Sequence, residues 1–312
     1  MIAATRISRP SGIRMFLLGL GSLMMMQLPC VALSMEVSGY SGGGGVFPLY
    51  PINGVPVLDS FYFRYTDADH HVQAISVDPA SPIPNPSPES ANTPPGQIFL
   101  TLQDQNRDDE FFYKVEHATV PTSVYRQKTF DFCKQSCKQW LSPPSPRHVF
   151  VITGFTFFFP GTDHHLRRVG IWEQNGELNV HFADENGDDL FKYELEYVYL
   201  PPEMIAKMGH EEGVNALGGE ARDIDLGPVA TGPTIIRGFD FEFQPDLDWG
   251  ITQDQHIKDI GVRTPGSKIE VYYGDKEIND GGDRFNWGVD WAALNLIRTK
   301  LPIEKPPIDK RE

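Results

Sequence analysis

The sequence is short of cysteine, of positive charge and of long hydrophobic runs, and each shortage excludes something. Three cysteines are present. Cys30 falls in the leader described below, which leaves Cys133 and Cys137. Their C-x-x-x-C spacing is not a redox or zinc signature. Lys and Arg together number 27 against 42 Asp and Glu, a formal net charge of −15. A chain this acidic repels nucleic acid and anionic lipid. Beyond residue 34 no stretch is long and apolar enough to span a bilayer, so membrane insertion is not expected. Strong catalytic signatures are also missing. There is no G-x-S-x-G, no H-E-x-x-H, no P-loop and no dinucleotide fingerprint.

The first residues read as an address. Arg6, Arg9 and Arg14 precede an apolar run from Phe16 to Leu28, and Ala32-Leu33-Ser34 offers small residues for cleavage after Ser34. Residues 1–34 are therefore expected to be a secretory signal peptide, and the mature chain to be secreted or periplasmic. Those residues carry three Arg and no acid, so the mature charge falls to about −18. In an oxidising compartment Cys133 and Cys137 can pair. Phe130, Cys133, Cys137, Trp140 and Leu141 follow a 3–4 spacing that predicts a short amphipathic helix.

What the chain does have is repetition. Phe155-Thr-Phe157-Phe-Phe159, Asp163-His164-His165, Val169-Gly-Ile171, Leu178-Asn-Val180-His-Phe182, Asp184 to Asp189 and Phe191-Lys-Tyr193-Glu-Leu195 follow in order. The same order runs from Phe61 to Val115 and, more loosely, from Phe239 to Trp291. An internal repeat decides architecture before any local reading does. In each unit the apolar residues alternate with polar ones at period two, which predicts strands with one buried face. Short connections, with Asn175-Gly176 and Asn186-Gly187 as hairpin signals, predict a four-stranded antiparallel meander, strands A to D. The expected class is all-β: three such meanders packed with pseudo-threefold symmetry, like a β-prism or a β-trefoil, with irregular inserts. The boundaries are a Gly-rich N-terminal linker at 35–56, repeat 1 at 57–119, an insert with the cysteine pair at 120–150, and repeat 2 at 151–200. A Gly-rich insert at 201–234 with a short helix near Met204–Met208, repeat 3 at 235–297 and a disordered tail at 298–312 complete the chain.

Chemistry is expected where the repeat spends polar residues at fixed places. The A–B turn carries Asp-x-His, with His71, His165 and His256 as candidate ligand-binding residues. The C–D turn carries an acidic cluster: Asp104, Asn106, Asp108 and Asp109, then Asp184, Asn186, Asp188 and Asp189, then Asp275, Asp280 and Asp283. Alternating oxygen ligands in a tight loop suit calcium, although no loop matches an EF-hand. Strand direction alternates, so both turns should lie at one rim of the sheet. Trp172 points away from the core by parity, and Trp249 sits in an insertion that lengthens the third A–B turn. An exposed aromatic beside carboxylates can hold a sugar. These features point to a non-enzymatic binding module for surface glycans or another extracellular ligand, with calcium organising the loops. Two further classes fit: a metal-dependent hydrolase using His and Asp on one rim, and a structural protein of an envelope or extracellular layer.

Overall fold

A computed structural model of the chain describes residues 35–295 apart from 43, 49–53, 67–70, 80–96, 105–109, 122–123, 125, 161–164, 185–189, 216–221, 227–231, 245–256 and 276–284. The expected leader and tail lie outside the described residues. The described chain is all-β, with eighteen strands and a single 3-10 turn at Pro202–Met204. The first six strands are β1 (Met35–Gly42), β2 (Gly45–Pro48), β3 (Val55–Tyr65), β4 (Val72–Pro79), β5 (Gln97–Asp104) and β6 (Glu110–Val120). The next six are β7 (Arg126–Lys134), β8 (Ser136–Trp140), β9 (Val149–Phe158), β10 (Leu166–Gln174), β11 (Glu177–Asp184) and β12 (Leu190–Leu200). The last six are β13 (Ile205–Asn215), β14 (Arg222–Asp225), β15 (Thr234–Phe243), β16 (Ile257–Arg263), β17 (Lys268–Asp275) and β18 (Phe285–Leu294).

These strands form three six-stranded antiparallel sheets, in the orders β1-β6-β3-β16-β17-β14, β2-β5-β4-β9-β12-β7 and β13-β18-β15-β10-β11-β8. The meander is therefore corrected. Strand β9 pairs with β12 and β4, whereas β10 pairs with β11 and β15. The A–B and C–D connections each carry the chain from one sheet to another. Period-two alternation reports which face of a strand is buried and is silent on which strand lies beside it. Asn175-Gly176 is a true hairpin turn, both residues having positive φ between paired strands β10 and β11. Asn186-Gly187 lies outside the described residues, and the strands it joins belong to different sheets.

The segments read as linker and inserts are strands too. β1 and β2, β7 and β8, and β13 and β14 form the outer strands of the sheets. The helix expected around Cys133 and Cys137 is instead two strands meeting at Gln135, which takes a positive φ of 59°, with the two cysteines joined in a disulfide. The helix expected near Met204–Met208 is the 3-10 turn running into β13. Within β13, Gly209 and Gly213 sit under the indoles of Trp291 and Trp287, so the apolar alternation is completed by the neighbouring strand rather than by β13 itself.

One extra residue interrupts the pairing at matching places. Asp59, Thr153 and Arg237 are the extra residues at these bulges, each two positions before a core phenylalanine. Those phenylalanines, Phe61, Phe155 and Phe239, are buried and touch one another in the core that the three sheets share. A second apolar cluster, including Val57, Val120, Val151, Val198 and Leu294, gathers beyond the bulges.

Candidate functional site

The outer face of the third sheet holds a groove of about 430 Å³. Its floor exists because outward positions that could carry side chains carry glycine. Gly288 on β18 and Gly238 on β15 lie in the groove. A Cβ on Gly238 would stand 2.8 Å from the Ile171 carbonyl oxygen and 2.8 Å from the Trp172 Cβ. Trp172 of β10 forms one wall, and His210 and Glu212 of β13 line the other side. Asp240, Asn286 and Asp290 project between them.

The walls are held by specific contacts. Trp172 stacks on His181, with ring centroids 4.9 Å apart and planes 20° from parallel. The Arg168 guanidinium lies 5.8 Å from the Trp172 ring centre. Arg168 also grips Asp240 with two hydrogen bonds, Nε to Oδ1 at 3.0 Å and Nη2 to Oδ2 at 2.7 Å. Burial, with the Arg168 and Lys138 charges nearby, pushes the His181 pKa down to about 4, so the imidazole under the indole is neutral at physiological pH. Across the groove His210 Nδ1 is 2.9 Å from Asp290 Oδ1, and its Nε2 is 3.4 Å from Glu212 Oε2. Partial burial opposes protonation of His210, but these two carboxylates outweigh it and raise its pKa above the usual value. The groove thus presents one aromatic wall, a backbone floor and a surplus of carboxylate oxygen.

Of the sequence-predicted residues, Trp172 is in the groove, on the outward face that parity assigned it. His71 and His165 lie elsewhere, at the strand ends, with ring centroids 4.2 Å apart. Asp104 and Asp184 are the buried last residues of β5 and β11, paired in register with Val72 and Leu166, the residues that follow the two histidines. Asp275 ends β17 and pairs with Ile257. Trp249, His256, Asn106, Asp108, Asp109, Asn186, Asp188, Asp189, Asp280 and Asp283 lie outside the described residues. Among the described residues the one group of three or more His, Cys, Asp or Glu side chains close enough to share a metal ion is Asp131, Cys133 and Cys137. Its two sulfurs are bonded to each other, so it offers no thiolates.

Sequence reasoning missed His210, Glu212, Asp240 and Asp290. Asp240 and Asp290 could have been found, since they occupy outward positions of strands already read from Phe239-Asp-Phe241 and Val289-Asp-Trp291. His210 and Glu212 could not, because β13 shows no alternation of its own.

The outer face of the first sheet is chemically different. Tyr40, Phe112, Tyr62 and Tyr272 run across it in successive ring contacts of 5.3, 6.0 and 4.5 Å. A depression of about 480 Å³ lies there, lined by Tyr40, Tyr62, Arg64 and Lys258 among others. The sheets therefore share a pairing pattern without sharing a surface.

No known protein family matches the sequence, and no curated protein matches it. Among solved structures it is similar to the crystal structure of the major capsid protein P2 from Bacteriophage PM2, at 8% identity and a TM-score of 0.17, over 84% of this chain and 98% of that one. At that score the likeness bears on neither fold nor function.

Proposed function

We propose that this protein is a secreted, non-enzymatic binding module that holds an extracellular glycan in the groove of the third sheet. The observation that carries the proposal is the position of Trp172 over a glycine floor and opposite carboxylates. A sugar ring has an apolar C–H face that packs on an aromatic ring and hydroxyls that donate to fixed acceptors. A concave site with an aromatic wall and a few placed polar groups is the usual form of a small-ligand site. Asp240 is held by Arg168 and Asp290 is engaged by His210. These carboxylates are positioned acceptors rather than a free acid–base pair, which favours binding over hydrolysis.

The recurring strand order supports a finer reading of the fold as a pseudo-threefold β-prism. In each sheet the inner four strands follow one pattern: β6-β3-β16-β17, β12-β9-β4-β5 and β18-β15-β10-β11. The open six-stranded sheets favour a prism over a trefoil, which needs a closed barrel. Calcium remains the ion proposed for the acidic turns that begin at Asp104, Asp184 and Asp275.

The experiment is a glycan array probed with wild type and Trp172→Ala, with calcium and with chelator. Wild type should retain a defined subset of glycans, and Trp172→Ala should lose at least tenfold in affinity for them. Retention of no glycan by wild type, or equal binding by the variant, would sink the proposal.

A further inference from the structure

We propose that His71 and His165 together form a binding site for a divalent transition-metal ion of the copper or nickel kind. The two imidazoles are brought together by the crossing of the chain between sheets. Strand β9 runs antiparallel to β4, with Phe158 opposite Ala74. The Phe159 N–H donates to the Gln73 carbonyl at 2.9 Å. The chain leaving β9 thus passes beside the start of β4, where His71 immediately precedes Val72. The same chain then enters β10 at Leu166, immediately preceded by His165. Both rings therefore sit one residue before the start of strands that belong to different sheets.

The ring centroids are 4.2 Å apart and the planes are inclined by 47°. A metal–imidazole bond of about 2.0–2.1 Å places a ring centre roughly 3.2 Å from the ion. Two such rings at a right angle have centres about 4.5 Å apart, and at a tetrahedral angle about 5.2 Å. The observed 4.2 Å is slightly shorter than either, so a small separation of the rings would let one nitrogen of each reach a shared ion. Neutral imidazole nitrogen suits copper, nickel and zinc, while calcium takes oxygen. Copper leads the affinity order for such nitrogen donors, with nickel below it. The buried carboxyl residues Asp104 and Asp184 pair in register with Val72 and Leu166, the residues next to the two histidines. Water would complete the coordination. This site is separate from the groove and does not depend on glycan binding.

The test is a Cu2+ titration near neutral pH of wild type, His71→Gln, His165→Gln and His210→Gln, with electron paramagnetic resonance to count coordinated nitrogens. His210 is the comparison because it is an exposed imidazole on another surface. Wild type should show a site with two imidazole nitrogens. Each rim variant should weaken copper at least tenfold and leave a spectrum with fewer nitrogens, and His210→Gln should leave that site unchanged. Acidification should release the ion, because protons compete for the same lone pairs. Unchanged affinity and nitrogen count in both rim variants would overturn the proposal, as would loss of the two-nitrogen site in His210→Gln. Should the rim variants fold poorly, the wild-type protein still decides the matter. Substoichiometric Cu2+ should broaden the His71 and His165 imidazole resonances first, and broadening confined to other histidines would overturn it.

Discussion

Phe61 of β3 lies against Phe155 of β9 with ring centroids 5.1 Å apart. Phe239 of β15 closes the triangle at 4.9 and 5.3 Å. Each ring comes from a different sheet, so this contact ties together surfaces that share no hydrogen bond at that point. Truncating one ring should open a cavity that its two partners cannot fill. Phe155→Ala is expected to cost about 3–5 kcal/mol in urea denaturation. The double variant with Phe61→Ala should cost less than the sum of the two singles, because the rings share the same void. A loss under about 1 kcal/mol for Phe155→Ala would show that the triangle does not hold the sheets together.

The phenylalanines were legible because burial imposes period-two alternation on each strand. Phe155, Phe157 and Phe159 announced β9, as Leu178, Val180 and Phe182 announced β11. Pairing was not legible, since nothing in Phe155-Thr-Phe157 says whether β4 or β10 lies beside it. Outer strands hid for a different reason. In β13 the inward positions Gly209 and Gly213 are filled by Trp291 and Trp287 from β18, so the strand carries no apolar pattern of its own. In β7 the pattern is inverted, with Phe130 and Phe132 exposed and Thr129 buried. Trp172 was found from parity alone, while its groove required β13 and therefore the structure. With the meander gone, what the pairing does show is that the last residues of β5 and β11, Asp104 and Asp184, lie beside the first residues of β4 and β10.

Gly238 makes the groove and also permits close packing of β15 on β10. Gly238→Ala would force a methyl group against the Ile171 carbonyl and the Trp172 Cβ, both 2.8 Å away. The expected cost is about 1–3 kcal/mol, the range for overpacking a fixed backbone. Trp172 should be displaced with it, shifting the protein's tryptophan fluorescence in the native state. A variant as stable as wild type with unchanged fluorescence would mean that the groove floor yields easily.

Calcium at the acidic turns has a distinct signature. An ion bound by the native state alone stabilises it by mass action, by about 2.7 kcal/mol per site at a hundredfold excess over the dissociation constant. Asp184→Ala removes the first carboxylate of the second turn. It should lower the melting temperature markedly in calcium and much less in chelator, where there is no ion for that carboxylate to hold. A turn stabilised by its own hydrogen bonds predicts equal losses in both conditions. Calorimetric melting of both proteins in both buffers separates the two, and equal losses would remove calcium from the proposal.

His117 of β6 gives the fold an acid-sensitive point. It is fully buried, and desolvation pushes its pKa from 6.5 down to about 4 despite a hydrogen bond with the Thr153 backbone. Above pH 6.5 neither the folded nor the unfolded state binds the proton, and stability is unaffected. Between pH 6.5 and about 4 the unfolded chain binds a proton that the folded protein refuses. Stability should fall across that window by about 1.4 kcal/mol per pH unit from this group. His181, whose pKa is also about 4, acts in the same direction over the same window. The raised pKa of His210 acts the other way, its contribution being present at low pH and lost as pH rises through the folded value. The background of these and of the carboxylates is removed by comparing wild type with His117→Gln. Urea midpoints at pH 8, 6.5 and 5 should show the two proteins diverging little between the first two values. Between pH 6.5 and 5 the wild type should lose about 2 kcal/mol more than the variant. Parallel losses in that interval would mean that His117 is protonated in the folded protein, and that its burial does not hold the imidazole neutral.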